Sequence, residues 1–383
     1  LVSRHQRLWL HRISYETKRL PSNISDVTAL DNFQYFSMKI KDLMDKEQLE
    51  YFDNVLKKVV NIQHPVADLM NDKLHSPILD LIMMLITNVV NIDADDSDIK
   101  KKQKTLANVI QLIHIGSLVH QKGIVDLHAT ENFGNDLPED HDLIMGNKMA
   151  LLAGDFLLAN AQIKVTQMRN DALLLLISSA IRDIIDSNFI GNYDGNCNPL
   201  PFKPGQTPVI INTKFLREWE PIRVEGKSGN AEDEWMMRNL SNRGFLAAKG
   251  CQGLGILAKK SQEVQEKCFE LGKHLYLTWK VFTELEPYRS RNVAESFEVN
   301  VTSAPFLFHL HENPKMFEII RRDLYSLQDI TDNKLYNVIL NGPGVESTEK
   351  LLKRLVNQTQ RKIQNFPDSN ERRKIEETLS AFV

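Results

Sequence analysis

Few residues in this chain are of a type and at a spacing that could do chemistry. The densest acidic group is Asp93, Asp95, Asp96 and Asp98, which invites a metal. A helix–loop–helix calcium loop needs Gly at its sixth position and Glu at its twelfth, where Asp98 and Lys104 stand. The acids fit better in the first turn of a helix, whose unsatisfied N–H groups favour negative charge, with Lys100, Lys101, Lys102 and Lys104 on its solvated side. His114 and His120 are six residues apart in an apolar helical pattern. That spacing makes no single metal-binding face, and no Cys or Glu completes a zinc set, so both read as histidines of a core or a cavity rim. Cys197, Cys251 and Cys268 lack metal-like spacing, and their odd number fits a reducing compartment. Asp155 stands among Leu152, Phe156 and Leu157; a carboxylate buried there needs a partner, such as a hydrogen bond between two helices. Glu284 and Glu286 are two apart and do not face each other on a helix.

The elements that must position these groups are helical. From Leu106, the residues Val109, Ile110, Ile113, Ser117 and His120 recur at three- and four-residue spacing, the mark of a buried helix face. Met145, Met149, Leu152, Ala153, Phe156 and Ala159 predict a second buried face, with Ala150 and Gly154 small enough for close helix approach. Gly134, Asn135 and Pro138 make the connection a loop. A helical pattern also covers 24–60, capped by Ser25 or Asp26, before a break at His64-Pro65. Another covers 172–189. From 191 to 229 the pattern collapses into Gly, Pro and Asn, a long surface excursion or mobile flap, and helix resumes at Glu232. Two helices follow over 245–288. The first carries Ala247, Ala248, Gly250, Gly253 and Gly255, whose density predicts close packing on a neighbour, and Pro287 sets the end of the second in its following turn. Residues 301–316 read as a late helix, 341–345 as a turn, Leu351, Leu352, Leu355 and Ile363 as a buried stripe, and 371–383 as a terminal helix. The chain is therefore expected to be all-α, with one domain over 24–383 behind a basic segment at 1–23.

Composition narrows the function classes. With 383 residues, 42% of them hydrophobic, the chain can bury a large core. A net charge of −3 offers no electrostatic case for nucleic-acid binding. The strongest apolar run, Ile78 to Val90, contains Asp80 and is shorter than a bilayer demands. Arg4, Arg7, Arg12, Lys18 and Arg19 against Glu16 fit either the remnant of a mitochondrial presequence or a basic amphipathic helix.

The stretches IHIGSLVH and GNKMALLAGDFLLANA together resemble the all-trans polyprenyl diphosphate synthase family. The likeness runs from about Glu50 to the C-terminus and is strongest over 106–161 and 240–288. In that family a histidine precedes an Asp-Asp-x-x-Asp motif whose carboxylates hold the Mg²⁺ that binds the allylic diphosphate. His120 matches the histidine, but the three acids fall on Gln121, Lys122 and Val125; only Asp126, just beyond, is acidic. The Arg-Arg pair that should follow is absent, with His128 the one basic group in 127–133. Upstream, Asp72-Lys73-Leu74-His75-Ser76-Pro77 resembles the family's Gly-Lys-x-x-Arg-Pro, keeping Lys73 and Pro77 and losing the arginine. Asn242 and Arg243 occupy the place of a Lys-Thr pair, within a residue of register. GKHLYLTWKVFTELEP resembles the approach to a second acidic motif: Trp279 stands for phenylalanine, Lys280 for glutamine, and the acids fall on Thr283, Glu284 and Pro287.

Magnesium needs hard oxygen ligands, and a departing diphosphate needs metal and cations around it. Glutamine, lysine, threonine and proline supply no paired carboxylates, so no metal and no catalytic residue is expected in this chain, with Lys73 and His120 as remnants of substrate binding. HQKGIVDL resembles the noncatalytic subunit 2 of heteromeric decaprenyl- or solanesyl-type synthases. That resemblance implies an isoprenoid synthase helical bundle paired with a catalytic paralogue, subunit 1, as heterodimer or heterotetramer. It further implies Mg²⁺ in the partner, a role in making the ubiquinone tail, and a place in the mitochondrial matrix or peripherally on the matrix face of the inner membrane. Two other readings fit the same residues: a stand-alone enzyme with a metal site near Asp126 and Glu284, and a regulatory helical protein that holds a lipid or a protein in the old cavity.

Overall fold

The structure is a computed structural model that describes residues 77–90, 97–124, 140–191, 199–205, 230–291, 299–322, 332–380 and 382; every regular element longer than a single bridge among them is a helix. The expectations for 1–23, the 24–60 helix, Lys73 and its neighbours, Asp93 to Asp96, Val125, Asp126, Cys197 and most of 191–229 fall outside the described residues. The helices group into two compact units. One comprises the residues up to Ser178 with Lys249–Cys268, the other Ser179–Ala248 with the residues from Phe269 onward.

The first unit starts with α1, Pro77–Val90, which carries apolar side chains around most of its circumference. Leu79, Ile82, Met83 and Ile86 are essentially inaccessible, as a core helix requires. No described helix is long and apolar enough to cross a membrane. Helix α2, Ser97–Lys122, has Asp98 in its first turn, paired to Lys102 at 2.7 Å. Leu106, Val109, Ile110, Ile113 and Ser117 are buried, the face that the spacing predicts, with His120 at its edge.

Helix α3, Asp140–Gln167, corrects the reading of its own face. Met145, Leu152 and Phe156 are exposed, as is Ala159, while Ala150, Ala153, Leu157, Ala161 and Val165 are buried. The small residues turn inward because α2 approaches closely: a Cβ on Gly116 would lie 3.1 Å from the Gly154 carbonyl. Shape complementarity at this crossing outweighs side-chain bulk. Helix α4, Asp171–Ser187, is capped by Asn170, whose Oδ1 accepts the Leu173 N–H at 2.9 Å. Most of the helix Phe245–Leu257, α6, also belongs to this unit. A Cβ on Gly253 would stand 2.8 Å from both Leu106 and Leu173, so the small residues here serve helix packing.

In the second unit, α5, Ala231–Asn239, is capped by Asn230 and followed by one π turn, Leu240–Gly244. Helix α7, Gln262–Ser290, belongs to this unit from Phe269 onward, passes through Pro287 and stops within the next turn, as expected. Helix α8, Ala304–Glu312, ends before Pro314, so 301–316 holds one short helix and the start of α9, Lys315–Arg322. Helices α10, Asp332–Leu340, α11, Pro343–Ile363, and α12, Asn370–Ser380, complete the unit. The turn expected at 341–345 is shorter, because Pro343 is suited to a first helical position and starts α11. Leu351, Leu352, Leu355 and Ile363 are buried as their stripe predicts. Tyr288, Phe306, Leu310, Tyr336 and Ile339 form a local core, with the Tyr288 and Tyr336 rings stacked at 5.2 Å.

Helix α8 lies on the start of α11 with no room between them: a Cβ on Gly344 would stand 2.0 Å from the Pro305 carbonyl. In an open helix, alanine for glycine stabilises by about 1 kcal/mol. Here Gly344→Ala is expected to reverse that sign and cost roughly 2–4 kcal/mol, read from the urea midpoint. At the same contact His309 is 6% exposed, and its Nδ1 has no hydrogen-bond partner among the described residues. Burial lowers its pKa. The unfolded chain therefore binds the proton more readily, so this contribution to stability is intact above about pH 6.5 and declines as pH falls below it. Comparing denaturant midpoints at acidic and neutral pH should show a smaller decline in His309→Gln than in the unaltered chain.

Candidate functional site

The end of α2 carries the first set of residues with chemical potential. The His120 ring fits against α3 only because residue 154 is glycine; a Cβ there would lie 2.1 Å from Nε2. Nε2 stands 3.1 Å from the Leu151 carbonyl and 3.4 Å from Asp155 Oδ1. Both are acceptors, so Nε2 carries the proton and donates it, with the carbonyl the nearer partner. His120 thus bridges α2 to α3. Asp155 is 72% exposed at its side chain and stands only in ion-pair range of the ring, while the hydrogen bond between the helices goes to the Leu151 carbonyl. After Lys122 the backbone leaves the helix at Gly123, whose N–H reaches the Val119 carbonyl at 2.8 Å. His114 is buried, and among the described residues it joins no group of three His, Cys, Asp or Glu side chains.

The second set lies on α7. Glu284 is 8% exposed at its side chain and meets three donors. Its Oε2 accepts the Trp235 indole N–H at 2.7 Å and the Ala304 backbone N–H at 2.9 Å. Its Oε1 is 3.1 Å from Lys280 Nζ, one turn earlier on the same helix. Burial disfavours the Lys280 ammonium, but Glu284 and the Tyr276 hydroxyl outweigh it, and the lysine pKa lies above its ordinary value. Burial lifts the Tyr276 pKa and depresses that of Arg243, which sits in the π turn beside it. Thr283 turns its hydroxyl to the Lys280 carbonyl at 2.9 Å, and the Pro287 carbonyl accepts from Tyr336 at 3.0 Å. Trp279 packs with Phe282 and Phe382.

A divalent cation would have to displace these bonds. Magnesium binds through carboxylate oxygens with free lone pairs. Glu284 has given its oxygens to an indole, a helix N-terminus and an ammonium, and Thr283 and Pro287 bring no carboxylate. Among the described residues no cluster of three His, Cys, Asp or Glu side chains could hold a metal. The residues present at this position do not fit the ion.

One further arrangement escaped the sequence reading. Glu234 and Arg238 on α5, 2.9 Å apart, hold the described part of the 191–229 excursion. Glu234 Oε1 accepts the Phe202 N–H at 3.0 Å, Arg238 donates to the Leu200 carbonyl at 2.7 Å, and its guanidinium lies 4.8 Å above the Phe202 ring. Residues 200–202 are therefore pinned to α5. Spacing within the chain does not announce such a clasp; the one hint is an acidic and a basic residue one turn apart in α5.

The Glu284 arrangement yields a direct check. Glu284→Ala leaves the Trp235 N–H and the Ala304 N–H without their acceptor and should cost about 2–4 kcal/mol. Trp235 is fully buried, so its fluorescence should shift as its N–H partner is lost. An unchanged melting curve and spectrum would mean that the three bonds carry no structural weight.

Comparison with known proteins extends the picture. No family model matches the chain. It is 26% identical over 397 aligned positions to the human All trans-polyprenyl-diphosphate synthase PDSS2, covering 98% of this chain and 90% of that protein. It is 19% identical to the Solanesyl-diphosphate synthase 1, mitochondrial, of Oryza sativa subsp. japonica, covering 95% and 79%. In fold it is similar to a decaprenyl diphosphate synthase from Rhodobacter capsulatus, with a TM-score of 0.59 at 12% identity over 99% of this chain and 98% of the other.

Proposed function

We propose that this chain, a relative of the all-trans-polyprenyl-diphosphate synthases by sequence and by fold, is a noncatalytic, required subunit of a heteromeric trans-polyprenyl diphosphate synthase. The observation that carries the reading is Glu284. It is the one carboxylate left at the second motif, and it is bonded as a structural group by three donors. Gln121 and Lys122, at the end of α2, point the same way, since neither replaces a carboxylate at a metal. The catalytic paralogue then condenses an allylic diphosphate with isopentenyl diphosphate through its own carboxylates and Mg²⁺, and the product becomes the ubiquinone tail. The complex, a heterodimer or heterotetramer, belongs in the mitochondrion, in the matrix or on the matrix face of the inner membrane.

Helix α3 supports the need for a second chain. It buries one side against α2 and still exposes Ile144, Met145, Leu151, Leu152 and Ile163, each 39–56% accessible. A helix apolar on two sides has a second surface to cover.

Prenyl transfer from an allylic primer and isopentenyl diphosphate with Mg²⁺ tests the proposal in three mixtures: this chain, the catalytic paralogue, and the two co-expressed. Long-chain product is expected from the pair alone, and it should vanish when the paralogue's aspartates are replaced. Product from this chain by itself would overturn the reading.

A further inference from the structure

We infer that the outer face of α3 pairs with the same face of a second copy of this chain, antiparallel about a two-fold axis that passes between Leu151 and Leu152. The inference goes beyond the subunit reading, since it concerns what the chain does by itself. Met145, Lys148, Leu152, Asp155 and Ala159 are all exposed and alternate at three- and four-residue spacing, the seam of a heptad repeat on the side of α3 away from α2. From 144 to 163 the helix carries two charged residues, Lys148 and Asp155, one heptad apart. Between them stand Leu151 and Leu152, 47% and 54% exposed.

The two charges choose the pairing. An in-register parallel pair sets every residue against its own copy, so Lys148 meets Lys148 and Asp155 meets Asp155. An antiparallel pair centred on either charged residue again sets like against like. Centred between Leu151 and Leu152, the antiparallel pair sets Lys148 of each copy against Asp155 of the other. Each charge then lies about 5 Å along the helix from the axis, with the four leucines between the two ion pairs. Docking removes water from the Asp155 carboxylate, and the Lys148 ammonium of the other copy replaces it, beside the His120 ring already 3.4 Å away. Attraction between such exposed charges is small; the penalty on the like-charged registers supplies most of the specificity. A strip about 30 Å long and about 10 Å wide is less than half of the roughly 800 Å² per partner in a stable complex. The self-pair is therefore weak, with a dissociation constant of about 1–100 µM, and a paralogue that covers more surface can displace it.

The test is sedimentation equilibrium of the full chain without any paralogue, for the unaltered sequence, Lys148→Asp, Asp155→Lys and the doubly exchanged chain. The unaltered chain is expected to dimerise reversibly. Each single variant brings like charges together at both ion pairs and should weaken self-association by about tenfold or more. The double variant restores opposite charges and should recover the unaltered affinity. Mixing the two single variants should also recover it, because one chain then carries two acids and the other two lysines at the facing positions. That recovery in the mixture separates a contact between chains from a fold damaged by either substitution. A dimer that none of the variants disturbs, or single variants that stay monomeric when mixed, would overturn the inference. So would an unaltered chain that is monomeric by itself and associates only when the catalytic paralogue is added, which would assign this face to the paralogue and leave the subunit reading intact.

Discussion

A buried carboxylate must be satisfied, and in the second unit Glu284 is the group around which that demand is met. Three elements contribute to it: α5 sends the Trp235 indole, α8 its first backbone N–H at Ala304, and α7 itself the Lys280 ammonium. Each donor has its own requirement. A fully buried tryptophan needs an acceptor for its N–H, and a helix N-terminus needs acceptors for its unsatisfied N–H groups. Ser303, before the first residue of α8, makes no side-chain cap bond to that helix, so Glu284 acts as the cap from a distance. Remove the carboxylate and the positions of α5 and α8 on α7 lose their common reference. Such a pair need not add net stability over a well-packed apolar substitute; what it adds is a single arrangement of three helices.

The first unit is organised by closeness instead of charge. Gly154 accepts the His120 ring, and Gly253 accepts Leu106 and Leu173. These contacts let α2 approach α3 and α6 so nearly that side-chain volume is excluded on the shared faces. The consequence appears on the far side of α3. Since its small residues are spent on the close contact with α2, its large ones, Met145, Leu151 and Leu152 among them, are left outward. The packing that stabilises the unit is thus also what creates a surface with an unmet apolar demand.

How far these features could be read from the chain depends on their range. The buried face of α2 followed from spacing because polar residues mark its other side. Helix α3 was misread because apolar residues surround it, and periodicity cannot rank two apolar faces; bulk suggested the wrong one, and the fit of Ala150, Ala153 and Gly154 to α2 chose the other. The helix end after Pro287 was legible, since proline acts locally. The partners of Glu284 were not: Trp235 is 49 residues away and Ala304 is 20, and nothing in the pattern of α5 or α8 names their acceptor. For the same reason the Glu234–Arg238 clasp on residues 200–202 was invisible, although the two residues stand one turn apart. The losses at Gln121, Lys122, Thr283 and Pro287 were plain from residue type. Only the structure shows which bonds Glu284, Thr283 and Pro287 make instead.

That replacement bears on whether the substitutions could be undone one at a time. Aspartates restored at 283 and 287 would bring back two carboxylates, but Glu284 would still be held by an indole, a backbone N–H and an ammonium. A cation arriving there must compete with Lys280, which is tethered one turn away and needs no association entropy to reach the carboxylate. Freeing Glu284 would in turn leave the Trp235 N–H and the start of α8 without an acceptor, a penalty of about 1–3 kcal/mol for each buried group left unmet. A metal site and the present packing of α5, α7 and α8 therefore exclude each other. The arrangement around Glu284 is internally consistent: a carboxylate whose oxygens are taken by an indole, a backbone N–H and an ammonium serves as part of the frame.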